Sequence, residues 1–314
     1  MKFLETLEVE MYDFSQANLN NENRIKAITL VASVCYQNPK ALNSASLYNR
    51  LMAESIGLPS SSFEFVPVLL DPNREPDARI LGNVNSNVRK FGQWIRAIND
   101  RGIVQNFLLT NYRALVYDCE ERCSLFTEPE VLDEIRSSYL ELFNNEFECS
   151  IIKRHFKVFK YNVDIVTRAQ MVRHRVNWQE LSRRYVSGKR VPFTFYVAEK
   201  MKNVTSTVEK EIWFEKDDGS EDTRTGIFNQ TTQSIIDDCV AHYYAAIDQG
   251  VKPEEARRII PQGMQTIIWG AFQPRQLENF YKLRLEPKAQ VEIREVATAM
   301  LKLETKGEYS GDSN

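Results

Sequence analysis

Apolar residues recur at helical spacing over Arg24–Tyr36, where Ile25, Ile28, Val31 and Val34 share one face, and Asn23 is placed to cap the helix. Ser44–Gly57 reads as a second helix, stopped by Gly57 with Pro59 beyond it. Ser62–Leu70, rich in Phe, Val and Leu, predicts a strand, and Asp71–Pro76 supplies a turn. Asn83–Asn99 and Ile103–Leu115 predict helices. Glu128–Asn145 reads as an acidic amphipathic helix opened by a Thr127/Glu130 capping box. Charged and apolar residues alternate over Ser150–Tyr161, which predicts a strand, and Asp164–His174 returns to helical spacing.

The charge-dense stretch that follows, up to Arg190, predicts no regular buried element. Thr205–Thr225, with Asp217-Asp218-Gly219-Ser220 at its centre, reads as a hairpin. Ile227–Asp248 is a long predicted helix, Pro253 opens a short one, and Gln265–Phe272 is a short apolar strand. Pro274–Leu285 and Pro287–Leu303 read as two helices, each with proline at the first position, before a polar tail predicted to be disordered. No internal repeat or low-complexity linker divides the chain. The expected organisation is one domain over residues 1–305 with insertions at about 71–144 and 203–226, followed by the tail 306–314.

Composition narrows the class. A hydrophobic fraction of 43% and a charged fraction of 26% describe an ordinary globular chain of mixed helix and strand. The net charge of −3 argues against wholesale attraction to nucleic acid or acidic lipid, so anion binding must come from local clusters of Arg and Lys. Five scattered cysteines suggest neither a disulfide framework nor a zinc site, and no metal is expected. Neither a signal peptide nor a membrane span is legible, which leads to an expectation of a cytoplasmic protein.

Such a cluster exists in Gln170–Tyr185, where Arg173, His174, Arg175, Arg183 and Arg184 fall close together with Glu180 and Ser182 among them. Arginine forks grip phosphate or carboxylate through paired N–H groups, so this segment is suited to a phosphorylated ligand. A solvated charged face and a nucleic-acid patch are the competing readings; the acidic net charge weakens the latter. A second cluster lies near the C-terminus. On a helix from Pro274, Arg275 and Asn279 share a face, while Arg284, nine residues beyond Arg275, points to another side. An amphipathic helix with solvated arginines is the plain alternative for that block.

Together the two blocks resemble the flavin-dependent thymidylate synthases, the ThyX family. Its Arg-His-Arg, spacer, Ser-x-Arg-Tyr signature is matched by Arg173-His174-Arg175, Ser182, Arg184 and Tyr185. Its later pattern is matched in order by Ala256, Arg257 and Pro261, by Gln273-x-Arg275, Asn279 and Leu283-Arg284, and by Ala289-Gln290-x-Glu292-Ile293. The resemblance implies an α+β fold, a small antiparallel sheet flanked by helices, with insertions. It also implies reductive methylation of dUMP to dTMP, with methylene-tetrahydrofolate as one-carbon donor and NADPH reducing FAD. Arg173, His174, Arg175, Glu180, Gln273, Arg275 and Asn279 would then contact FAD. Gln170, Arg173, Glu180, Ser182, Arg183, Arg184, Arg257 and Arg284 would bind the nucleotide, with Arg284 as catalytic residue, in sites at the subunit interfaces of a homotetramer. No nucleic-acid or membrane partner is expected.

Three features depart from the family pattern. The spacer holds six residues, Val176–Leu181, rather than seven; Gln273 stands where the family has Asn; and both histidines of the family's Gly-His-x-x-Pro-x-Glu-His stretch are missing from Leu58–Phe65, where Glu64 survives, the alternative being an insertion that splits the stretch and leaves His155 in place of the second. The alternatives left open are an altered outcome, either C5 hydroxymethylation or action on another pyrimidine nucleotide, and a non-catalytic nucleotide-binding homologue.

Overall fold

The computed structural model describes residues 2–4, 7–52, 60–75, 77–82, 84, 86–98, 101–123 and 142–310. In chain order the strands are β1 (Lys2–Leu4), β2 (Glu8–Tyr12), β3 (Pro67–Leu70), β4 (Gln93–Ile98), β5 (Val104–Asn111), β6 (Lys157–Asp164), β7 (Asn177–Glu180), β8 (Thr194–Tyr196), β9 (Thr205–Glu215), β10 (Glu221–Thr231) and β11 (Gln265–Phe272). The longer helices are α1 (Asn21–Tyr36), α2 (Ala45–Met52), α3 (Tyr112–Cys123), α4 (Glu146–His155), α5 (Ile165–Met171), α6 (Thr232–Asp248), α7 (Pro274–Arg284) and α8 (Val291–Lys306). The chain is of the α+β class, and its contacts divide it into two compact units.

The larger unit comprises Leu7–Val163, Thr167–Ser182 and Thr266–Asn314. At its centre is a four-stranded sheet in the order β2-β6-β11-β7, with antiparallel pairs β2/β6 and β11/β7. Alternation along β11 explains how one strand serves two cores. Ile268 and Phe272 join Met11, Phe159 and Tyr161 under α7 and α8, which contribute Leu277, Phe280, Ile293, Val296 and Met300. Trp269 and Ala271 face the other way, into a cluster with Val158 and with Ala27, Ile28, Val31 and Val34 of α1. A sheet covered on both faces needs nearly continuous apolar strands, and β11 is one. A three-stranded antiparallel sheet, β3-β5-β4, adds to the α1 side.

The smaller unit comprises Met1–Thr6, Asp164–Val166 and Arg183–Gln265. It holds the parallel pair β1/β8, a core of Phe193, Phe195, Ile236, Tyr243, Ala256 and Met264, and the hairpin β9/β10, paired from Thr205↔Thr231 to Glu215↔Glu221. The hairpin was legible in its turn, which closes through Gly219 N to Lys216 O at 2.8 Å. Its second strand runs six residues further than the sequence suggested, so α6 starts at Thr232 rather than Ile227, capped by Thr231.

Several other expectations change. Ser62–Leu70 is not one strand: Ser61–Phe65 is a 3-10 turn that buries both Phe63 and Phe65, and only Pro67–Leu70 is extended. The helix expected over Asn83–Asn99 is a short turn, Asn87–Lys90, followed by β4. Gly92 sits against the Val88 carbonyl, where any side chain would collide, and turns the chain between them. Most of the helix expected over Ile103–Leu115 is β5, whose buried run Phe107–Asn111 is flanked by strands on both sides, and only the end of it belongs to α3. An apolar run buried on both faces has no period to read.

Ser150–Tyr161 divides into the end of α4, started by an Asn145/Glu148 capping box, and the start of β6. The cap of α1 is Asn20 rather than Asn23, whose backbone N–H it accepts at 2.8 Å. Helix α8 begins at Val291, four residues after Pro287. Within the charge-dense stretch, Asn177–Glu180 is a regular strand, β7. The end expected for α2 and most of the helix expected over Glu128–Asn145 lie outside the described residues.

Candidate functional site

The arginine–histidine segment follows α5, and a turn from His174 N to Met171 O (3.0 Å) carries the chain toward β7. That turn leaves Arg173 and Arg175 exposed and His174 buried between them. The His174 ring lies 4.7 Å, centroid to centroid, from Phe280 of α7. Its Nε2 accepts the Nε–H of Arg284 at 2.8 Å, and an Arg284 Nη2–H reaches the Gln170 carbonyl at 3.0 Å. Since guanidinium only donates, Nε2 carries no proton and the ring's single proton sits on Nδ1. Burial, with Arg284 adding to it, pushes the His174 pKa down to about 4, so the ring is neutral near pH 7. Arg284 is itself lowered by burial and by the charge of Arg173, yet arginine keeps its proton at any physiological pH.

Helix α7 carries the other half of the site. Arg275 and Asn279 are both exposed, one turn apart, while Leu277 and Phe280 are buried, which fixes which way the helix faces. Gln276 Nε2 donates to Arg175 O at 2.8 Å, tying the first turn of α7 to the arginine segment. Arg275 N donates to Gln93 Oε1 at 3.0 Å. Among the described residues no carboxylate pairs with Arg173, Arg175 or Arg275, so three guanidinium groups remain open to an anion.

Glu180 is engaged differently. Both its carboxylate oxygens take N–H groups from Arg168 of α5, at 2.6 Å to Nε and closely to Nη2. Gln170 donates its side-chain amide to Gln290, beside the start of α8. The six-residue spacer is largely strand, with Glu180 opposite Ile268 and Asn177 opposite Ala271, so face alternation rather than helical rotation governs its side chains. Trp178 and Glu180 share one face. Gln179 looks the other way, accepting from Ser61 Oγ at 2.8 Å and donating to Cys35 Sγ at 2.7 Å. Ser182 is half-buried, and its N–H donates to Cys35 O at 3.2 Å.

Residues 60–65 of the stretch that lacks the family's histidines lie against this strand: Asn177 Nδ2 donates to Glu64 O at 3.2 Å, and the Glu64 carboxylate pairs with Arg113. Gln273 is buried. Its N–H donates to Gln276 Oε1 at 2.8 Å, and its amide reaches the Phe91 carbonyl at 2.8 Å. The departure from the family's Asn therefore has a structural partner.

Arg183, Arg184 and Arg257 belong to the smaller unit. Arg183 is buried there, donates to Val191 O at 2.6 Å and lies 4.8 Å over the Phe193 ring. Arg184 is exposed beside Tyr185, and Arg257 is exposed on a 3-10 turn with Nε 3.4 Å from Glu254 O.

Sequence reasoning did not single out Arg168 or Gln276. Arg168 lies twelve residues before Glu180 across a turn that no period reveals. Gln276 was legible only through its spacing, three residues after Gln273, the signature of a capping box.

Comparison with known proteins agrees with the motif reading. A family model described as thymidylate synthase complementing protein matches residues 110–306. A flavin-dependent thymidylate synthase of Pyrococcus furiosus is 33% identical over 135 residues, covering 42% of this chain and 47% of that protein. One from Geobacter sulfurreducens is 30% identical over 149 residues, covering 46% and 55%. The chain thus spans about half the length of the curated relatives it matches. A solved UMP/dUMP methylase of Streptomyces cacaoi, bound with 5-Br UMP, aligns at 23% identity with a TM-score of 0.36, over 48% of this chain and 69% of that one. With the family model covering well over half of its residues, the chain belongs to the thymidylate synthase complementing protein family, that of the flavin-dependent thymidylate synthases.

Proposed function

We propose that the protein methylates dUMP reductively to dTMP, using FAD, with methylene-tetrahydrofolate as carbon donor and NADPH as reductant. Family membership and the names of its relatives support the reaction class. The observation that carries the reading is Arg284, a half-buried guanidinium held at one edge by His174 and Gln170. Set against a uracil ring, a fixed positive charge stabilises negative charge spreading over N3 and O4, and electron density at C5 rises with it. Carbon-5 can then attack a one-carbon unit without a cysteine first adding to the ring.

The donor set fits a flavin dinucleotide. Arg173, Arg175 and Arg275 are exposed and not bound to carboxylates among the described residues, which suits the anionic diphosphate, and Asn279 adds an amide on the same face as Arg275. Once reduced by NADPH, a flavin held there would supply the hydride that completes a methyl group. Gln170, Glu180, Ser182, Arg183, Arg184 and Arg257 are the proposed nucleotide contacts, with Gln273 beside the flavin set as a buried support. A homotetramer with sites at its subunit interfaces is part of the same reading, and light scattering after gel filtration tests it.

The deciding experiment is the visible spectrum after FAD addition and desalting, followed by mass analysis of the product. Retained flavin whose spectrum shifts with dUMP, and a product of the mass of dTMP, are expected. A hydroxymethyl product, or a response only to another pyrimidine nucleotide, would replace the reaction named here. A protein that retains no flavin would be a binding homologue.

A further inference from the structure

We infer that His174 is the positioning residue of Arg284: as a neutral acceptor it grips the Nε edge of the guanidinium and aims the opposite fork outward. This rests on the reading of Arg284 as the ring-activating group. It differs from the role the family resemblance implies for His174, which is contact with the flavin.

The geometry is specific. A guanidinium has five N–H groups arranged on a rigid plane. Nε–H goes to His174 Nε2 at 2.8 Å and one Nη2–H goes to Gln170 O at 3.0 Å, and these two lie along the same edge. The remaining N–H groups, on Nη1 and the outer side of Nη2, form the end-on fork, which has no partner among the described residues. That fork matches two adjacent acceptors, such as a carbonyl oxygen and the neighbouring ring nitrogen of a pyrimidine. Two-point support on one edge removes rotation about the end of the side chain, leaving the fork preorganised.

The choice of imidazole is meaningful. A carboxylate in its place would hold the same edge but cancel the charge that the substrate needs. A neutral ring nitrogen orients the guanidinium and leaves its charge whole. The ring is itself held, by Phe280 at 4.7 Å and through its backbone, where Trp178 Nε1 donates to His174 O at 3.1 Å.

Four variants and one spectroscopic measurement test this. His174→Leu removes the acceptor and should lower kcat about 100-fold while changing KM for dUMP by less than about 3-fold. His174→Gln, whose amide oxygen reaches the place of Nε2, should recover at least about 10-fold of that loss, whereas His174→Glu should not. Independently of activity, the full chain labelled with 15N-histidine should show His174, identified by its loss in His174→Gln, as the neutral Nδ1–H tautomer at pH 7. Its Nε2 resonance should move in Arg284→Met.

Wild-type kcat in His174→Leu, an Nε2–H tautomer, or an Nε2 resonance indifferent to Arg284→Met would overturn the inference. Loss of flavin retention in His174→Gln would also overturn it, making the residue a flavin contact. If the wild type makes no dTMP but the Nδ1–H signature responds to Arg284→Met, the functional reading fails while the pairing is upheld.

Discussion

Gly270 faces Trp178 across β11 and β7, and the indole occupies the space where a side chain of residue 270 would stand. A Cβ there would lie 2.5 Å from Trp178 Cζ3 and 3.0 Å from Phe272 Cε2. The ring so placed stacks edge-on against Phe272, 5.6 Å between centroids, and reaches the His174 carbonyl. A glycine in the sheet thus seats the aromatic that braces the arginine–histidine turn.

Gly270→Ala should therefore displace the indole. Overpacking of this kind costs about 1–3 kcal/mol. Urea unfolding should show that loss, and tryptophan fluorescence should change in the folded state. An alanine variant with wild-type stability and emission would show that the strand pair has room the geometry does not allow.

Gln273 replaces the asparagine of the family pattern, and its longer side chain reaches Phe91 O. Gln273→Ala would leave that part-buried carbonyl short of a donor, at about 1 kcal/mol. Gln273→Asn should recover little of this, because the shorter amide falls about one methylene short of its partner. The midpoint of urea unfolding for the two variants decides it: an asparagine variant as stable as the wild type would make the amide contact irrelevant.

Asp77 is fully buried, with Oδ2 held by Arg74 and the Asp71 N–H and with Oδ1 lacking a partner among the described residues. Burial outweighs Arg74 and raises its pKa from 3.8 to about 6. The folded state then holds this proton more tightly than the unfolded chain. Stability from this site is greatest below about pH 4 and falls as pH rises through about 6, by at most about 3 kcal/mol. The difference in unfolding free energy between wild type and Asp77→Asn should follow that curve; a difference flat from pH 4 to 7 would contradict it.

His174 works in the opposite direction. Its pKa is depressed from 6.5 to about 4 by burial and by Arg284, so between those values the unfolded chain binds the extra proton. Its contribution is fully present above pH 6.5 and is lost as pH falls toward about 4. Protonation at Nε2 also breaks the bond to Arg284. Referencing wild type to His174→Gln over pH 4–7 should isolate a stability term that rises with pH. A term that falls with pH would mean that the ring is charged in the fold.

The candidate residues were readable in the sequence as composition and order: the Arg173-His174-Arg175 triplet, Ser182, Arg257, and the later run through Arg284 stand in family order with near-family spacing. Helices with one buried face, such as α1, α6 and α7, were also readable, because burial on one side writes a period into the chain. Their borders were less so. Asn20 and Asn23 are equally good caps on paper, and only the backbone conformation at Asn20 selects between them.

What the sequence determined by itself is the inventory: which groups carry charge, which donate, and in what order they come. What only the tertiary structure decided is which of them meet. Nothing in local spacing tells that Arg284 reaches back 110 residues to His174, that Arg168 takes up Glu180, or that Gln273 spans 182 residues to Phe91. Nor does it tell that Val104–Asn111 is a strand, since it is placed between β4, just before it in the chain, and the more distant β3, and its inner half is buried on both faces. A periodic pattern records one face against one environment. Contacts made across the fold, and elements buried on every side, leave no such record and are set only when the whole core closes.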